Sequence, residues 1–147
     1  MTEYRRIFLD TSPIIYYLQE TEIYFEQMRK FFISLRKTDT ALVSSDITIA
    51  EYCVYPYKIG NLELIKAFDT FVRIVPLEII STSEWIAKKA ARIRATYPAF
   101  KPMDSLQLAT AVLGDCDLFL TNDKQLRQFT EIKCLTIDDF FSEDIKA

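Results

Sequence analysis

The chain contains no histidine among its 147 residues. That absence removes the Ser-His-Asp triad, the Cys-His pair, histidine-ligated zinc and any imidazole general base. Catalysis, if there is any, must run on carboxylates, hydroxyls, Lys, Tyr or a metal ion. Cysteine is scarce too. Cys53, Cys116 and Cys134 are odd in number and widely spaced, which fits neither a disulfide framework nor a paired-thiolate zinc site and leaves them as small core residues. No run of roughly 18 apolar residues occurs, and "MTEYRRIFLD" lacks a signal-peptide pattern, so a cytoplasmic protein without a membrane span is expected. With 2 Gly and 5 Pro, the composition is not that of a linker or a disordered tail. Excess basic charge is missing as well: 18 Lys and Arg against 21 Asp and Glu leave a net charge of -3, with no global pull toward nucleic acid. A local basic patch remains open.

What is present is an element-rich chain, half apolar and 14% aromatic, of a length that forms one domain over residues 1–147 and buries roughly two thirds of its unfolded surface. Strand patterns alternate with helical ones, the arrangement that gives an α/β fold with a mostly parallel sheet and helices on its faces. The expected strands are "RIFL", "ALVSS", "RIVPL", "CDLFLTND" and "KCLTI", the last leading into an acidic tail. Between them, "IYFEQMRKFFISLRK" sets Phe25, Met28, Phe32 and Leu35 on one helical face, leaving Tyr24 and Phe31 off the stripe as an expected exposed patch for a partner. "DITIAEYCVYPYKIG" reads as a helix ended or kinked by Pro56 and Gly60, followed by a short helix in "NLELIKAFDTFV". "STSEWIAKKAARIRATYP" is the clearest amphipathic helix, capped by Ser81 or Ser83, with Ile86, Ala90, Ile93 and Tyr97 as its apolar stripe.

Four acids are hard to place in this scheme. In "RRIFLDTSPIIYYL", Ser12 reads as a helix N-cap and Pro13 as the first helical residue, so Asp10 follows the first strand without a capping task. Asp104 in "KPMDSLQLATAV" suits a helix start and could share a capping box with Gln107, and Asp123 in "LFLTNDKQL" suits a turn. Glu51 lies among Ile47, Ile49, Cys53 and Val54, in a segment apolar nearly all round, where a buried carboxylate needs a partner. No base stands one turn away, so a structural role requires a distant Arg5 or Arg6. In open α/β sheets ligands bind beyond the carboxyl ends of the strands, and all four acids fall at such ends or at helix starts. Carboxylates gathered there repel unless a cation sits among them, and an all-oxygen donor set suits Mg²⁺ or Mn²⁺. The chemistry that follows is phosphodiester hydrolysis.

In the order "FLDTSPII", "ITIAEY", "PMDSLQLATA" and "LFLTND", the chain resembles the PIN-domain ribonucleases, above all the VapC toxins of type II toxin–antitoxin pairs. The likeness covers nearly the whole chain and implies a three-layer α/β/α fold. It matches Asp10, Glu51, Asp104 and Asp123 to the family's acidic quartet, and Thr11, Ser12 and Thr121 to hydroxyl residues that position water or phosphate. It also implies a Mg²⁺- or Mn²⁺-dependent endoribonuclease leaving a 5′-phosphate and a 3′-hydroxyl, usually a homodimer, inhibited by a cognate antitoxin that reaches into the acidic groove. The basic stretch "KKAARIRATYPAFK" offers Arg92, Arg94 and Lys101 as RNA contacts, while Lys88 and Lys89 read as a solvated face. Two other readings compete: an inactive PIN-like module that binds RNA or protein, and an aspartate-nucleophile phosphatase. The phosphatase requires a second acid two residues after the first, where this chain has Ser12.

Overall fold

A computed structural model describes residues 3–146. Five strands form one sheet in the order β3-β2-β1-β4-β5, and every neighbouring pair is parallel. The strands are β1 (Arg6–Leu9), β2 (Ala41–Ser45), β3 (Glu78–Ile80), β4 (Leu118–Thr121) and β5 (Lys133–Thr136). Helices α1 (Thr11–Leu18), α2 (Phe25–Leu35), α3 (Asp46–Ile59), α4 (Leu62–Ile74), α5 (Glu84–Thr96), α6 (Pro102–Leu113) and α7 (Ile137–Lys146) supply the crossovers and the end of the chain, and a 3₁₀ turn spans Lys124–Gln128.

The alternation of side chains along the strands explains the layering. Ile7, Leu9, Leu42, Leu118 and Leu120 face a core shared with Ile14, Met28, Phe31, Tyr52, Phe68 and Ile137. Phe8, Val43 and Phe119 point the other way, into a core made by α5 and α6. Phe8 and Phe119 stack at 5.1 Å across the β1–β4 pair. The fold is the three-layer α/β/α arrangement with a wholly parallel sheet. Among the described residues no helix is long and apolar enough to cross a membrane.

Several local expectations are corrected. The N-cap of α1 is Asp10 rather than Ser12: its backbone is extended and its side chain accepts from the Thr11 N–H at 2.9 Å. Pro13 still sits in the first turn, where its missing N–H costs no hydrogen bond. The third strand is Glu78–Ile80 and not "RIVPL", because α4 keeps its amphipathic period through Arg73 and Ile74. The acidic tail is a helix whose Ile137 and Phe140 pack in the core and whose Asp139 pairs with Arg127. Asp104 and Gln107 form no capping box; Gln107 turns inward. The 3.6-residue period places Pro56 in the interior of α3, and the left-handed Gly60 ends that helix.

Phe31 is also not a surface residue. It is 1% exposed and packs edge-on against Phe32 and Phe140, while Tyr24 stacks on Tyr16 at the margin of the same core. A wider apolar stripe than the sequence spacing indicated is what the sheet beneath it demands. Phe31→Ser is therefore expected to lower unfolding free energy by about 4 kcal/mol, as other large-to-small core changes do. A urea denaturation curve measures this, and an unchanged midpoint would return Phe31 to the surface.

Candidate functional site

The carboxyl edge of the sheet is where the four acids meet. β1 pairs with β4 in the register Leu9↔Leu120, and the Asp10 N–H donates to the Leu120 carbonyl at 2.9 Å, so Asp10 and Thr121 leave adjacent strands side by side. The Thr121 hydroxyl donates to Asp10 Oδ2 at 2.8 Å, and the Asp123 N–H donates back to that hydroxyl at 3.1 Å. One hydroxyl thus sets both acids. β2 lies on the other side of β1, and α3, capped by Ser45, brings Glu51 to the site, where Thr11 Oγ1 donates to its carboxylate at 2.7 Å. Asp104 is in the first turn of α6.

Electrostatics tie the four together. Asp10 is 7% exposed, and burial pushes its pKa up to about 6 against the Thr121 and Thr11 hydrogen bonds that favour the charged form; the Asp104 and Glu51 charges add to the rise. Asp104, half-buried, is raised by burial and by Asp123 and Glu51, with only the Lys101 charge acting the other way. Like charge thus adds to burial in disfavouring the ionised form of Asp10 and of Asp104. Asp123 also caps the 3₁₀ turn by accepting from the Gln125 N–H at 3.0 Å, so its structural and site roles coexist.

Glu51 differs from expectation. Its side chain is exposed, and so are Ile49, Val54 and Tyr55 around it; the apolar turn of the helix faces outward rather than into a core. Its partner is the Thr11 hydroxyl. Arg5 and Arg6 are occupied elsewhere, with Asp115 and Glu78 respectively.

The hydroxyl and basic candidates divide. Thr11 and Thr121 hold Glu51 and Asp10, while Ser12 lies half-buried in the first turn of α1, at a helix N-terminus of the kind that favours anions. Lys101 begins the turn that carries Asp104. Arg94 donates to the Phe100 carbonyl at 3.3 Å. Arg92 lines a hollow with Trp85, Lys88, Lys89 and Leu113, at the opposite end of α6 from Asp104.

A group of buried polar residues escaped the sequence reading. Ser44, Ser45 and Thr48 are fully buried and Gln107 is 1% exposed, and all four are joined by hydrogen bonds behind the acids. The one sequence signal was a Gln on the apolar side of "SLQLATA". A lone buried amide demands partners.

Among the described residues, no three Asp, Glu or Cys side chains already stand in position to ligate one ion. The donor chemistry still fits a hard cation: carboxylate oxygens only, mutually repelling, with a single lysine charge acting against that repulsion on Asp104. Mg²⁺ in particular binds through one or two carboxylates and keeps water on its other positions.

Burial of Asp10 has a pH signature. A folded-state pKa near 6, above the ordinary 3.8, means the folded protein holds this proton more tightly than the unfolded chain does. Stability is then full below about pH 3.8 and falls as pH rises to about 6, a loss of ~3 kcal/mol at most. Asp10→Asn should raise the melting midpoint at pH 7.5 in EDTA, and the gain should shrink toward pH 4. Equal gains at both pH values would show that the Asp10 charge is not strained.

The PIN-domain family profile matches residues 7–132. No curated protein matches the chain. Among solved structures, DNA-bound VapBC from Salmonella typhimurium superposes with a TM-score of 0.74 at 19% identity, covering 90% of this chain and 98% of that one. VapBC2 from Rickettsia felis, bound to a DNA fragment from its promoter, gives 0.72 at 16% identity, covering 89% and 98%. Mycobacterium tuberculosis VapC20, a toxin that cleaves the sarcin–ricin loop, gives 0.64 at 13%, covering 86% and 98%. At these identities the likeness is one of fold. The family profile, which runs from β1 to the residue before β5 and takes in all four acids, makes this chain a member of the PIN-domain family.

Proposed function

We propose that this protein is a Mg²⁺- or Mn²⁺-dependent endoribonuclease and the toxin of a VapC-type toxin–antitoxin pair. The observation that carries the reading is the gathering of Asp10, Glu51, Asp104 and Asp123 at one sheet edge, with Asp10 and Asp104 raised in pKa by burial and by neighbouring acids. A divalent cation held by these carboxylates supplies Lewis-acid chemistry for a phosphodiester.

The chain's own residues do the rest. Thr121 and Thr11 fix the Asp10 and Glu51 carboxylates through their hydroxyl protons. Ser12 and the first turn of α1 offer an anion-favouring end to the phosphate. Lys101, beside Asp104, supplies a cation for the RNA backbone, with Arg94 farther along the same stretch; Arg92 lies beyond reach of the acids and contacts only a longer strand.

Two surfaces support the protein partners. A groove of about 480 Å³ between α2 and α4, lined by Tyr17, Phe32, Lys66, Phe71 and Ile74, suits the apolar face of an antitoxin segment. On α3, Thr48, Tyr52 and Pro56 face inward, while Val54 and Tyr57, each 64% exposed, face outward with Ile49, and Leu62 at the start of α4 is exposed as well. That outward face is the proposed homodimer surface.

Cleavage of RNA in Mg²⁺ should stop in EDTA and fall by roughly a hundredfold or more in Asp104→Asn, read on a gel of 5′-labelled RNA. RNA binding with no metal-dependent cut in the wild type would leave an inactive PIN-like module. Light scattering should give a dimer for the wild type and a monomer for Val54→Glu; a dimer in both would place the interface elsewhere.

A further inference from the structure

We propose that Thr48 and Gln107 are positioning residues that lock α6 onto the carboxyl edge of β1 and β2, and thereby set Asp104 against Glu51 and Asp10 for metal binding. The inference rests on the metal-dependent reading above.

Counting protons gives the network a direction. Each hydroxyl has one proton to donate. The Leu9 carbonyl only accepts, so the Ser44 proton goes there, at 2.8 Å. The 2.8 Å contact between Ser44 and Thr48 is then made by the Thr48 proton. Thr48 Oγ1 in turn accepts from Gln107 Nε2 at 2.7 Å. The Gln107 carbonyl oxygen accepts from Ser45, whose oxygen also accepts the Ile47 N–H at 3.1 Å. Thr11 has given its proton to Glu51, so its 3.4 Å approach to Thr48 is a packing contact.

The relay therefore runs from Gln107 through Thr48 and Ser44 to the carbonyl of Leu9, the residue before Asp10. It leaves none of these groups unpaired, and none is open to water that could replace a lost partner. Fold stability alone does not call for a polar network here. Gln107 is surrounded on α6 by buried Leu108, Ala109 and Ala111, and apolar side chains at Ser45, Thr48 and Gln107 together would pack with no polar group to satisfy, whereas removing Gln107 alone strands the Ser45 proton. What an apolar residue lacks is direction. The two bonds of one amide fix both the rotation and the slide of α6, and Asp104 lies one turn before Gln107 on the same side of that helix. Apolar packing would let α6 settle a few tenths of an ångström away, enough to spoil a shared ligand position while the fold survives.

The test melts wild type, Thr48→Val, Thr48→Ser and Gln107→Leu in EDTA and across a Mn²⁺ titration. Wild type and Thr48→Ser should show the same saturable rise in midpoint. Thr48→Val and Gln107→Leu should need at least tenfold more Mn²⁺ for that rise, and in RNA cleavage should lose kcat with little change in KM. An identical Mn²⁺ dependence in all four proteins overturns the proposal, however far the EDTA midpoints move. Absence of any Mn²⁺ response in the wild type overturns the metal reading, and the proposal with it; the wild-type curve alone separates these two failures. If Gln107→Leu does not fold, the contrast of Thr48→Val with Thr48→Ser decides.

Discussion

An acid buried at the end of the central strand, with no basic group beside it among the described residues, sets the terms for everything around it. Asp10 keeps its charge at a cost that two hydrogen bonds only partly offset. The Asp104 and Glu51 carboxylates add their repulsion, and the fold tolerates this because strand pairing and two large apolar cores hold the edge in place. Stability is thus spent on gathering like charge in one spot. A protein selected for stability alone would disperse these acids, so their assembly is the feature that calls for a ligand.

Most of the scaffold was legible because it follows from local rules. Strand and helix periods alternate cleanly, Ser83 caps α5, and the acids stand at the ends of strands where an α/β sheet opens. The misreadings share a cause. Glu51 was expected in an apolar setting and Phe31 on a surface, and both reversals arise because periodicity reports which residues share a face but not what covers that face. Apolar residues around Glu51 point out of the fold; Phe31, off the expected stripe, points into it.

The polar relay behind the acids was illegible for another reason. Thr48 and Gln107 are 59 positions apart, and each looks ordinary where it stands. Only the packing of α6 across β2 brings them together. The same holds for Thr121, whose hydroxyl donates to an acid 111 positions away while accepting from the backbone of another beside it in the chain. Residues that act through a third partner leave little mark on a linear pattern.

The position of β1 in the sheet bears on when the four acids come together. Its neighbours are β2, which follows soon after it in the chain, and β4, which is made roughly a hundred residues later. A chain emerging from the ribosome has Asp10 and Glu51 early, but the strand that ends in Thr121 and leads to Asp123 emerges well after both. Until that strand inserts beside β1, Asp10 has neither its hydroxyl partner nor its full complement of neighbouring acids. A chain that has not yet reached β4 consequently lacks the assembled acidic edge, and the timing of that assembly is written in the strand order itself.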